Sequence, residues 1–275
     1  MPELPEVEIA ARSLAPQVIG RSIVGIASMD WERMVETPDI QTFYALLPGQ
    51  QITAVGRRAK WILISLASGL TLTVHLRMSG RLYVVTDERV VDKHTHLVLA
   101  LDNGARIFFS DERKFGRVRL LDGDGLTALD HAHGPEPLSE GFTPAELARI
   151  MRTRRTPIKQ LLLDQRAVAG LGNIYVSEAL WMAQIHPLTP ATLVAAAQIP
   201  ALHAAIRAVL EQAIRHEGST LRNYRNGYGQ QGQNQEHFLV YGREGAPCSR
   251  CGTAVQRLVI GQRSSFYCGQ CQPLS

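Results

Sequence analysis

All four cysteines of this 275-residue chain fall in its last stretch, as Cys248-x2-Cys251-x16-Cys268-x2-Cys271. That clustering is not a disulfide framework for a chain of this size and reads as a metal site in a reducing compartment. Each Cys-x2-Cys turn presents two thiolates to one ion, and two such turns give the tetrahedral sulfur set that zinc prefers. Four protein ligands leave no open coordination position, so one structural zinc ion is expected, with another thiolate-bound metal as the alternative. A segment this short builds no core of its own, and the metal would hold it. Between the pairs, residues 257–266 read as a hairpin turning near Gly261, with Arg263 close to the tip. There it is either a phosphate contact or a solvated surface arginine.

The rest of the chain changes periodicity once. Residues 5–15 suit a short helix, with Val7, Ile9, Ala10 and Leu14 on its buried face. From about 22 to 121 the pattern has period two. Residues 70–76 alternate as a half-buried strand does, and 61–66, 81–85, 96–101, 106–109 and 117–121 are further strands. Ser68-Gly69 and Asn103-Gly104 are the turns between them. Such spacing implies an antiparallel sandwich or barrel. Asp122-Gly-Asp-Gly and Gly134-Pro-Glu-Pro mark a polar domain boundary. Thr143-Pro-Ala-Glu146 then fits a helix start with a capping box, and helical pattern runs to 217. Its clearest stripe is Leu202, Ile206, Val209, Leu210, Ala213 and Ile214, closed by Gly218. Residues 218–236 are Gly-, Gln- and Asn-rich, as a mobile surface loop or a functional lid would be. Strand character returns at Phe238–Tyr241. The expected domains are 1–133, 134–236 with a loop at 218–236, and 237–275.

The formal net charge of +4 suits an anionic partner. The acidic start lacks the apolar run of a signal peptide, and no stretch reaches the roughly 18 apolar residues of a membrane helix. A cytoplasmic protein without a membrane partner is expected.

Several short motifs carry chemistry. At Met1-Pro2-Glu3-Leu4-Pro5-Glu6-Val7-Glu8, removal of Met1 would leave the secondary amine of Pro2 at the chain end. An α-amino group with a pKa of about 7.7–8.0 is partly neutral and nucleophilic at pH 7. Carboxylates beside it can move protons. The same residues also make an ordinary helix start. Arg57-Arg58-Ala59-Lys60 leads into a strand, and Arg152, Arg154, Arg155 and Lys159 form a second basic cluster. Both suit phosphate contacts. In Gly170-Leu-Gly-Asn173-Ile-Tyr-Val-Ser-Glu178, Asn173 would cap a helix whose free N–H groups can meet a phosphate, or simply start a structural helix. His75–Gly80 contains a methionine of the kind usually found in cores. Arg113-Lys-Phe115-Gly116 reads as an exposed loop with a large apolar tip.

Taken together, Pro2–Glu8, Arg57–Lys60, His75–Gly80, Arg113–Gly116, Gly170–Glu178, Val240-Tyr-Gly-Arg243 and the four cysteines resemble the formamidopyrimidine-DNA glycosylases. These are base-excision repair enzymes with an attached lyase activity. Leu4 and Val7 favour this branch over the related endonuclease VIII enzymes for oxidised pyrimidines. The resemblance implies an α+β multidomain fold: an N-terminal β-sandwich with a leading helix, then a helical helix–two-turns–helix domain with a C-terminal zinc β-ribbon. It implies removal of oxidised purines such as 8-oxoguanine from duplex DNA and cleavage at abasic sites by β,δ-elimination, with the enzyme a monomer near the nucleoid.

On this resemblance Pro2 is the nucleophile at C1′, Glu3 the proton donor and acceptor, and Glu6 their support. Lys60 contacts phosphate beside the lesion, and Asn173 and Arg263 clamp the same backbone. His94, Arg113 and Arg154 contact DNA. Met78, Arg113 and Phe115 fill the gap left by the lesion. Ser219 and Thr220 begin the loop over the flipped base. Asn234 stands where many relatives carry an aromatic residue and Arg154 where some carry lysine, departures that bear on lesion preference. A non-catalytic zinc-ribbon DNA binder would explain the charge and the cysteines but not the Pro2-Glu3 start.

Overall fold

The computed structural model describes residues 2–87, 91–221 and 224–274. Met1, and with it the expected trimming, lies outside the described residues. The chain divides into two compact units. One contains 1–132 and 216–233, and the other contains 133–215 and 234–275. Residues 216–233 therefore cluster with the N-terminal unit, not with the helices that precede them in sequence.

The first unit opens with α1 (Leu4–Val18) and continues through β1 (Ile23–Met29), β2 (Val35–Thr37), α2 (Ile40–Leu46), β3 (Ile52–Arg58) and β4 (Trp61–Leu66). It is completed by β5 (Thr71–His75), β6 (Gly80–Val85), β7 (Thr95–Leu101), β8 (Arg106–Asp111), β9 (Arg117–Leu121) and α3 (Gly123–His131). The strands form two sheets, β1-β7-β8-β6 and β2-β9-β5-β4-β3. One core joins them: Leu14 and Val18 of α1 pack with Ile62, Val74, Leu99, Phe109 and Val118 from both sheets. This is the expected sandwich, with one departure from antiparallel order, because β2 runs parallel to β9. Gly69 and Gly104 make the expected turns at φ of 86° and 82°, a backbone region that glycine enters without strain.

Two expectations in this unit are corrected. β5 is not half-buried: Thr71, Leu72, Thr73 and Val74 are all covered, so side chains on both faces of this central strand are packed. Asp122-Gly-Asp-Gly does not mark the boundary, which falls after Ala132. The Asp122 carboxylate accepts the Gly125 N–H at 2.8 Å and so starts α3.

The second unit holds α4 (Pro144–Met151), α5 (Ile158–Leu163), α6 (Asn173–Met182) and α7 (Ile199–Arg215), then the hairpin β10 (Gln256–Ile260) and β11 (Arg263–Tyr267). Thr143 caps α4 by accepting the Glu146 N–H at 3.1 Å, as its motif predicts. α7 buries Leu202, Ile206, Val209, Leu210 and Ala213 along one stripe. α6 is covered nearly all round, including Ser177 and Glu178, so it lacks a polar face. Among the described residues no helix is long and apolar enough to cross a membrane.

Candidate active site and nucleic-acid interface

Pro2 is buried and precedes Glu3 at the start of the chain's first helix. Glu3 is the N-cap of α1, and its N–H donates to Glu6 Oε2 at 2.8 Å. Both glutamates are almost wholly covered, at 3 % and 2 % exposure. The other oxygen of Glu6 accepts the Ser219 N–H at 2.8 Å. A single carboxylate thus fixes the start of α1 and the start of the 218–233 segment. Carboxylates satisfied by backbone N–H donors hold their geometry better than solvated ones.

The described residues of the Gln- and Asn-rich stretch share a network of hydrogen bonds. Thr220 Oγ1 accepts the Gly232 N–H at 2.9 Å and donates to the Tyr224 carbonyl at 3.0 Å. Buried Asn226 accepts from the Tyr228 and Gln230 N–H groups at 3.0 and 2.9 Å. Gly227 donates to Ser13 of α1 at 3.0 Å, where an added Cβ would meet the Ser13 hydroxyl at 2.3 Å. The Tyr224 hydroxyl reaches the Glu6 carbonyl at 3.3 Å. Burial, reinforced by the Glu6 and Glu217 carboxylates, holds the Tyr224 phenol well above its ordinary pKa.

Lys60 leads directly into β4, as expected. It forms, with Ala59, the two-residue turn between β3 and β4, and only 6 % of it is exposed. Ala59 takes a φ of 52°, as such tight hairpin turns require. Arg57 donates to the Ala59 carbonyl at 2.8 Å and to Glu8 of α1 at 2.9 Å, and so fixes this tip beside the helix. Arg58 pairs with Asp130 at 2.5 Å. Both arginines of the cluster are therefore engaged by carboxylates.

The remaining sites of this unit form a second group. Met78 and Phe115 are exposed, at 43 % and 44 %, which removes Met78 from the core. The Arg113 guanidinium lies 4.7 Å from the centre of the Phe115 ring. His94 is half-buried, and its carbonyl accepts the Asp111 N–H at 2.8 Å. Asp111, which opens the Asp111–Gly116 motif in sequence, was given no role there, although its carboxylate holds this group together. A side chain that bonds to nearby backbone leaves no periodicity to detect.

In the second unit Asn173 is the first residue of α6, not its cap. Gly172 holds the cap position, and Asn173 Nδ2 donates to the Ser264 carbonyl at 2.9 Å. The Lys159 ammonium, fully buried, donates to the same carbonyl and to Ser177 Oγ, both at 3.1 Å. It is therefore a packing cation rather than a phosphate contact. Arg263, next to this anchored carbonyl, is exposed at the start of β11, and Arg154 is exposed in the segment after α4. Phe238–Tyr241 is not a strand. Its backbone wraps the buried Glu178 carboxylate, which accepts N–H groups from Leu239, Val240 and Tyr241 at 2.8, 3.0 and 2.7 Å.

The four cysteine sulfurs lie within 4.8 Å of one another, with Cys251–Cys268 at 3.4 Å and Cys248–Cys271 at 4.0 Å. A tetrahedral ion with Zn–S bonds of about 2.3 Å needs sulfurs about 3.8 Å apart, so this donor set fits zinc in both chemistry and size. Burial raises the Cys248 thiol, but backbone N–H groups of Arg250 and Cys251 outweigh it and bring the pKa down to about 6.

Comparison with known proteins agrees along the whole chain. The formamidopyrimidine-DNA glycosylase N-terminal domain matches residues 1–118, the H2TH domain of the same enzymes 133–225, and the zinc finger found in FPG and IleRS 245–274. The formamidopyrimidine-DNA glycosylase of Chloroflexus aggregans is 60 % identical over 274 residues, covering 100 % of this chain and 99 % of the relative. That of Chloroflexus aurantiacus is 57 % identical, covering 99 % and 98 %. Among solved structures, a Lactococcus lactis FPG mutant bound to Fapy-dG-containing DNA superposes with a TM-score of 0.92 at 35 % identity, covering 99 % of this chain and 100 % of that one. MutM bound to carbocyclic 8-oxo-G-containing DNA gives 0.91 at 35 % identity with the same coverage. On domain content, on identity over the full length and on fold, the chain belongs to the formamidopyrimidine-DNA glycosylase family.

Proposed function

We propose that this chain removes oxidised purines, including 8-oxoguanine and formamidopyrimidines, from duplex DNA and then cleaves the strand at the abasic sugar. The observation that carries this reading is the buried Pro2-Glu3 pair at the N-cap of α1, braced by the Glu6 carboxylate. The neutral amine of Pro2 attacks C1′ of the damaged nucleotide, and the glycosidic bond breaks with its electron pair going to the departing base. Glu3 protonates the sugar oxygen so that the ring opens, and loss of the amine proton leaves an iminium. That iminium accepts the electrons released when the C2′ proton is removed, and the 3′ phosphate leaves. A second elimination releases the 5′ phosphate.

Lys60, Asn173 and Arg263 hold the phosphates around the lesion, with His94 and Arg154 as further DNA contacts. Met78, Arg113 and Phe115 occupy the stack that the extruded base vacates, because an empty stack is costly. Ser219 and Thr220 begin the segment that meets the flipped base. Zinc, when bound by the four thiolates, supplies folding energy to the ribbon and no reaction step. Such an enzyme works as a monomer in the cytoplasm, at the nucleoid.

The test is borohydride trapping on DNA containing 8-oxoguanine opposite cytosine, followed by peptide mapping. The adduct is expected on the N-terminal peptide. An adduct on the peptide containing Lys60, or trapping undiminished when Met1 is retained, overturns the assignment of Pro2. Faster turnover of oxidised thymine than of oxidised purine would place the chain with endonuclease VIII-like enzymes. Retention of abasic DNA without cleavage would make it a binder.

A further inference from the structure

We infer that Asp111 is a positioning residue that locks Met78, Arg113 and Phe115 into one rigid wedge. The inference rests on the proposed reading of that group as the filler of the emptied stack. Asp111 is fully buried at the end of β8. Its Oδ1 accepts the Ser79 hydroxyl at 2.5 Å and the Arg113 N–H at 3.2 Å. Its Oδ2 accepts the Phe115 and Gly116 N–H groups at 2.8 and 2.7 Å. Two loops from different parts of the chain, 76–80 and 111–116, are thereby joined through one carboxylate.

The backbone of Asp111 extends the network. Its N–H donates to the His94 carbonyl at 2.8 Å, and its carbonyl faces Nε2 of buried His96 at 3.0 Å. Nδ1 of His96 in turn faces Asp30 at 2.7 Å. The same carbonyl accepts the Lys114 N–H at 3.2 Å, in a turn where Lys114 takes a φ of 53°. Gly116 closes the loop, and an added Cβ there would meet the buried Phe109 ring at 2.3 Å. A wedge must be stiff before it meets the helix, because an exposed loop that gives way cannot hold two base pairs apart. A buried carboxylate with its acceptor positions filled by backbone and hydroxyl donors supplies that stiffness.

Asp111→Asn keeps the shape but turns an NH₂ group toward donors. On a paired 8-oxoguanine substrate, kcat/KM is expected to fall about 10- to 100-fold, the range that losing one or two charge-assisted hydrogen bonds carries. Cleavage of a pre-formed abasic site in single-stranded DNA is expected to stay within about threefold, since no stack is opened there. Asp111→Asn combined with Phe115→Ala should lose no more on the paired substrate than Phe115→Ala alone, because the two changes disable one device. Equal losses on both substrates, additive losses in the double variant, or no loss at all would overturn the inference. If Phe115→Ala itself spares the paired substrate, the wedge reading fails instead, which separates the two failures. Should Asp111→Asn not fold, Ser79→Ala removes a single link of the same network and is scored by the same double-variant comparison.

Discussion

Glu6 and Ser219 are 213 positions apart in sequence, yet the Glu6 carboxylate accepts the Ser219 N–H at 2.8 Å while its second oxygen holds Glu3. Glu6→Gln keeps one acceptor and turns an NH₂ group toward a buried donor. The variant should lose about 1–3 kcal/mol of stability, the cost of a buried donor without a partner. Chemical denaturation reads the loss, and amide hydrogen exchange at Ser219 should accelerate. Unchanged exchange at Ser219 would show that the bond contributes nothing.

Tyr224 predicts an alkaline limit. Burial raises its pKa in the folded chain, whereas the unfolded phenol ionises at about 10. Above that pH the unfolded state binds fewer protons than the folded one, so stability falls as pH rises, by up to about 1.4 kcal/mol per unit. Below pH 10 the group contributes no slope. Tyr224→Phe should flatten the alkaline limb of stability against pH, and an identical limb in both proteins would contradict this.

Arg263 presents one cation from an anchored hairpin. Arg263→Ala should weaken binding to all DNA sequences alike and reduce the slope of log K against log salt by about 0.9, one phosphate contact. A preserved slope would leave Arg263 as a solvated residue.

Cys251→Ser removes one thiolate from the four. The variant should lose its metal, measured by elemental analysis, and its DNA-binding salt slope should drop at least as far as that of Arg263→Ala. The hairpin that carries Arg263 depends on the same ion. Full zinc content with normal binding would contradict a structural metal.

These variants also show where the sequence was readable. The cysteine pairs, the strands from 61 to 121 and the stripe of α7 were legible because each is a spacing, and spacing survives without coordinates. β1 and β3 were missed because Ile23–Met29 and Ile52–Arg58 mix small and polar residues without a steady alternation. Asp122 was misread because a polar run with two glycines resembles a domain boundary until its carboxylate is seen capping α3. Phe238–Tyr241 has the composition of a strand but serves an anion instead. Lys159 and Asp111 were beyond reach for a common reason. Each is a charged residue whose partners lie mostly on distant or neighbouring backbone, and backbone has no letter in the sequence.

Glu178 and Lys159 are buried ionisable groups inside a helical unit, burial raises the Glu178 pKa, and the chain after residue 237 supplies partners that water would otherwise supply. Leu239, Val240 and Tyr241 supply N–H groups to the carboxylate, and Ser264 supplies a carbonyl to the ammonium. For these two groups the ribbon is a solvation shell made of polypeptide. Removing it would take those partners away, leaving Glu178 to neutralise or open to water and Lys159 with fewer acceptors. The ribbon is consequently not a detachable accessory. Grafted onto another helical scaffold, it would leave those three N–H groups and that carbonyl without the partners they meet here.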